Sequence, residues 1–163
     1  MDNLFIKTLL DWLHVMATVV WIGGMIVNFI IIRPVAFKVL DPATAGQFTQ
    51  ALMKRFKIMV YISIVILGVT GIPLKIINEN YVSIINFESD WEIVSFVKHI
   101  FYGILTILAV LNFEVFMPKI AKYARERNQE GLKAAQKRLG VAGLMAMLSA
   151  IVILVLSSMM RFL

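Results

Sequence analysis

Runs of apolar residues, broken by short polar stretches, divide this chain into four segments that are each long enough to cross a hydrocarbon layer as a helix. Crossing takes roughly 20 helical residues. The pattern predicts spans over residues 4–32, 58–77, 93–117 and 139–160. The first is strongly apolar only from Trp12 to Ile32, with a polar-tinged lead-in from Leu4. In lipid a spanning segment must satisfy its own backbone hydrogen bonds, so each is expected to be helical. The expected fold class is therefore all-α: a polytopic membrane four-helix bundle forming a single transmembrane domain over residues 1–163. No soluble domain, low-complexity segment or internal repeat stands out.

The polar connections give the spans a direction. Residues 33–57 hold Arg33, Lys38, Lys54, Arg55 and Lys57 against one acid, Asp41. Residues 118–138 hold Lys119, Lys122, Arg125, Arg127, Lys133, Lys137 and Arg138. The connection from Asn78 to Glu92 has no Lys or Arg and carries Glu79, Glu88, Asp90 and Glu92. Basic loops stay in the cytoplasm. Loops 33–57 and 118–138 are thus expected inside, and the N- and C-termini on the non-cytoplasmic side of the cell inner (cytoplasmic) membrane. Asp41-Pro42 reads as a helix start, with an acid at the N-cap and proline in the first turn. A short surface helix is expected from there to Lys57, running into the second span. Residues 118–138 also read as helical, with Gly131 marking a turn. Met1-Asp2-Asn3 lacks the basic start of a cleaved leader, so the first apolar segment is expected to be retained.

Composition agrees with this picture. The chain is 60% hydrophobic and 16% charged, with a mean hydropathy of +0.85. A soluble domain of this size would lack the polar residues to cover such a core. The net charge of +6 is concentrated in the two basic loops, so membrane orientation accounts for it and no nucleic-acid partner is expected. The absence of cysteine excludes disulfides, thiolate zinc sites and iron–sulfur ligation. No phosphate loop, zinc-protease motif or Ser-His-Asp arrangement is present.

Within the spans, polar residues fall on helical faces. Lys7, Asp11, His14, Thr18, Trp21, Met25 and Asn28 recur at steps of four and three, one face of the first helix. The third span carries Ser95, Lys98, His99, Tyr102 and Thr106, and the second Tyr61, Gly68, Gly71 and Lys75. The fourth offers Gly140, Gly143, Ala146 and Ala150, small residues that permit close packing. Polar side chains at such depth turn to the interior of a bundle or to a wet cavity, where many only bond across helices. The two histidines invite a sharper reading. His14 and His99 are the only ones in the chain, and both lie in spans that run in the same direction, at similar depth. Two imidazoles facing each other at one level can clamp a haem iron. His14 and His99 are the candidate metal ligands for one haem b per protomer. Asp11, one turn before His14, is placed to orient its ring. Trp21 and Tyr102 join the candidate cofactor-binding residues. Lys98 adjoins His99 about 100° around the helix. It snorkels outward, meets a haem propionate, or takes the functional role in place of His99. The ten methionines suit Cu(I), which makes copper the alternative cofactor, but their scatter favours apolar gap-filling. Glu114 is expected to pair with Arg33 or Lys119.

The stretch from His14 through Trp21 to Gly23-Gly24 has a recognisable form: His, six residues, Trp, one residue, two small residues. It resembles the first span of the CopD-like four-helix membrane domains. It is similar also to the HemJ-type protoporphyrinogen oxidases, in which an arginine ends this helix, as Arg33-Pro34 does here. In both groups a lysine lies near the start of the third span, and Lys98 matches it. The resemblance covers the first three spans. It implies a haem b site with His14 as ligand. His99 departs from the shared pattern, and a second axial histidine favours a low-spin electron carrier over an oxidase with an open site.

The function expected is haem b binding in transmembrane or membrane-surface electron transfer. A quinone or redox protein subunit, or a second copy of the chain, would be the partner besides membrane lipid. The alternatives are a HemJ-type protoporphyrinogen IX oxidase and a CopD-like copper uptake or resistance protein.

Overall fold

The computed structural model describes residues 4–83 and 87–163, and the described residues are helical apart from short connections. Four long helices account for them: α1 (Leu4–Val39), α2 (Pro42–Ile76), α3 (Asp90–Arg125) and α4 (Gln129–Met159). Each is long and apolar enough to cross a membrane. They form two compact units, residues 1–81 and 82–163. In the first, α1 packs on α2, and in the second α3 packs on α4.

Capping explains where the helices start. Asp41 Oδ1 accepts hydrogen bonds from the N–H groups of Ala43 and Thr44 at 3.0 and 3.1 Å, so α2 begins at Pro42 as its sequence predicts. Its residues up to Lys57 run without a break into the apolar part. Ser89 Oγ caps α3 by accepting from the Glu92 N–H at 3.3 Å. The Glu92 side chain is fully buried, and its Oε1 takes the Val82 N–H at 3.1 Å, tying the preceding segment to the first turn. Asn128 caps α4, accepting from the Gly131 N–H at 2.9 Å.

Two expectations about breaks are corrected. Arg33-Pro34 does not end the first helix, which continues to Val39. A π-helical turn over Asn28–Ile32 precedes the proline, and the Arg33 N–H bonds to the Asn28 carbonyl five residues back. A widened turn relieves the clash between a proline ring and the carbonyl four residues before it. Nor does Gly131 make the turn between α3 and α4. That turn is at residues 126–128, where Arg127 takes a left-handed backbone with φ of 54°. Gly131 lies inside α4, where a Cβ would stand 3.0 Å from Tyr123 Cδ1 and 3.1 Å from Asn128 Nδ2. Its missing side chain makes room for the Tyr123 ring.

The units share one plan, which the sequence did not suggest. Asn28-Phe29, Pro34 and Lys38 in α1 recur as Asn112-Phe113, Pro118 and Lys122 in α3, each 84 residues on. In α3 a π-helical turn over Leu111–Phe116 precedes Pro118, and the Met117 N–H bonds to the Asn112 carbonyl as Arg33 bonds to Asn28. Helices α1 and α3 are both 36 residues long. Trp21 and its counterpart Leu105 are both buried. The two hairpins thus share a local pattern of Asn-Phe, Pro and Lys around a π-helical turn.

Buried residues follow the helical repeat. In α2 they are Ala45, Val60, Ser63, Leu67 and Thr70. In α4 they are Ala135, Ala142, Ala146, Ser149 and Ala150, small side chains that let backbones approach.

Candidate cofactor site

His14 stands near the end of the first third of α1. Its Nδ1 lies 2.8 Å from Thr70 Oγ1 of α2. The Thr70 hydroxyl donates its single hydrogen to the Ile66 carbonyl at 2.7 Å. Toward His14 it therefore accepts, and the imidazole proton sits on Nδ1. A neutral ring in that state carries its lone pair on Nε2. The backbone shapes the same place. Thr18 Oγ1 donates to the His14 carbonyl at 2.9 Å, and a Cβ on Gly71 would stand 3.4 Å from His14 Cε1. Glycine at 71 lets the ring lie against α2.

His99 is set in the same way within its own hairpin. Its Nδ1 lies 2.6 Å from the Ser95 carbonyl one turn earlier. A carbonyl only accepts, so Nδ1 again carries the proton and Nε2 the lone pair. Ser95 is buried, whereas the His99 side chain is exposed. Metal-binding histidines have this arrangement: one ring nitrogen donates to a fixed oxygen, and the other is left as ligand.

The remaining candidates differ in burial. Asp11 is exposed, and Thr70 takes the orienting role expected of it. Trp21 is buried, at 2% exposure, within a π-helical turn over Val19–Gly23. Lys98 and Tyr102 are half-buried on α3, and Glu114 is exposed. By the 84-residue displacement, the counterpart of His14 in the second hairpin is Lys98 and not His99. Thr70 went unnoticed in the sequence. Its signal was Ser63, seven residues earlier and also buried, which places both on one face of α2. Among the described residues no group of three or more His, Asp and Glu is placed to hold a metal ion. The donor chemistry on offer is single imidazoles, which suits a metal whose other positions a macrocycle fills.

Over residues 16–129, more than half of its length, the chain matches the model of a family described as a domain of unknown function (DUF4149). No curated protein and no solved structure matches it.

Proposed function

This chain belongs to the DUF4149 family, and for it we propose a haem b-binding, multi-pass protein of the cell inner membrane that passes electrons. In this reading all four helices cross the membrane, with the basic connections in the cytoplasm and both termini outside. Large apolar side chains standing exposed along the helices, such as Ile58, Val65, Val69 and Ile72 on α2, support insertion. His14 would hold the haem iron through Nε2. The observation that carries the reading is the Thr70–His14 hydrogen bond, which holds the proton on Nδ1 and aims the basic nitrogen away from it. Bound haem supplies a reversible one-electron change at its iron. The protein's part is to hold the ring plane, keep Nε2 basic and keep bulk water out with the apolar side chains of the spans. The electron partner is a quinone or a redox protein.

The test is an absorption spectrum of the purified protein. Reduction should bring up a sharp α band that His14→Ala abolishes. His99→Ala shows whether the second imidazole also shapes the band. A colourless, correctly folded protein would end the proposal.

A second reading, a protoporphyrinogen IX oxidase of the HemJ kind, has one observation in its favour: Lys98 occupies the position in the second hairpin that His14 holds in the first. It predicts that the chain rescues a strain lacking that oxidase, that His14→Ala and Lys98→Ala abolish rescue, and that His99→Ala does not. Failure to rescue at good expression would dismiss it.

A further inference from the structure

Each hairpin places an asparagine at the first or second residue of a π-helical turn, six residues before a proline: Asn28 before Pro34, and Asn112 before Pro118. In both, the side-chain Oδ1 is sealed from solvent and has no hydrogen-bond partner among the described residues. Buried polar atoms left in that state are rare in folded proteins, and each asks for an explanation. Here two of them fall on matching positions of the two hairpins. Burying an amide oxygen with no donor is costly, and a cost repeated at matching positions points to a ligand. The ligand must donate a hydrogen bond or carry positive charge. Charge decides between these. Arg33 and Lys38 follow Asn28 within ten residues with no carboxylate in that turn, and Lys119 and Lys122 follow Asn112, whose turn holds one carboxylate, the exposed Glu114. A metal cation gains little beside such neighbours, and a neutral donor is not repelled. A π-helical turn ahead of proline is also where spanning helices admit ordered water.

We propose that Asn28 and Asn112 are two copies of one internal water site, each holding a water molecule that donates to the asparagine Oδ1 within its own hairpin. At Asn28 the amide nitrogen is already used, donating to Met53 Sδ at 3.4 Å. The water therefore meets the oxygen end of the amide. The two sites belong to the hairpin plan and do not depend on the bound cofactor.

X-ray radiolytic footprinting of the full-length protein in detergent, with a pulse of oxygen-18 water, tests this. Hydroxyl radicals made from a bound water label the side chains beside it, and slow exchange keeps the oxygen-18 out of that label. Phe113, buried and next to Asn112, and Met53, in contact with Asn28, are the reporters. Wild-type protein should show slow-exchanging label at both, above the buried control Leu105. Asn112→Leu should lose it at Phe113 alone, and Asn28→Leu at Met53 alone. Label in wild type no higher than the control would overturn the proposal without need of any variant. So would loss of label on replacing sodium and potassium by choline, which would mark a cation. A rise in melting temperature in both leucine variants would also overturn it, since removing an oxygen that truly lacks a partner stabilises the fold.

Discussion

Thr70 has one hydroxyl hydrogen, and the Ile66 carbonyl takes it, so the proton on His14 is confined to Nδ1. Thr70→Val keeps the shape of the side chain and removes this control. It should cost about 1 kcal/mol in thermal or denaturant unfolding, typical of one hydrogen bond between spanning helices. In the proposed haem protein it should also broaden or shift the absorption band, whereas Thr70→Ser should restore both. Gly71→Ala acts on the same ring from the other direction, because its Cβ would press His14 Cε1 at 3.4 Å. If haem binds as proposed, a weakened α band with an intact fold is expected. At this scale the sequence was informative where a residue type is rare. Two histidines within apolar runs of a chain that is 60% hydrophobic stand out unaided. Thr70 did not, because a threonine in a span is compatible with any surroundings, and only the helix-to-helix register reveals its partner.

Helix boundaries were legible where a side chain makes the cap and illegible where backbone geometry bends without breaking. Asp41-Pro42 announced α2 correctly, and Arg33-Pro34 misled because a π-helical turn carried α1 through the proline. The Asp41 cap also sets a pH response. Its carboxyl is held below the ordinary value of 3.8, chiefly by hydrogen bonds from the Thr44 side chain and N–H, with Ala43 adding to them. A depressed carboxyl stabilises the folded form fully above its ordinary value, and that contribution is lost as pH falls through the lowered one. Hydrogen exchange at the first turn of α2 should therefore quicken, relative to intrinsic rates, when pH falls below about 3.8. Asp41→Asn, which caps without charge, should remove this dependence. Packing within the first hairpin has its own tight point. A Cβ at Gly24 would fall 2.6 Å from Phe56 Cε2, so Gly24→Ala must displace that ring. A loss of about 1–3 kcal/mol is expected from such overpacking. In a Phe56→Leu background most of that loss should vanish, which a double-mutant cycle on melting temperature would measure.

Across the whole chain, the four apolar helices were readable from hydrophobic length alone, and all four are present in the structure. The proposed orientation is testable because the chain has no cysteine of its own. Single cysteines placed at residue 40 or 127 should react with a membrane-impermeant maleimide only after the cells are opened, and one at residue 80 should react in intact cells. The opposite pattern would reverse the topology. The pattern shared by the two hairpins escaped a linear reading because apolar positions tolerate any large apolar residue, which leaves identity only at Asn, Phe, Pro and Lys. That shared pattern also bears on the proposed orientation. A segment that crosses a bilayer twice brings its end back to the side it left. A second copy joined behind it threads in the same sense as the first, whereas copying a unit of one or three crossings would have turned the newcomer upside down. Two like hairpins in tandem therefore need no redistribution of arginine and lysine to share one orientation. At matching positions the first hairpin carries an imidazole, His14, and the second a primary amine, Lys98.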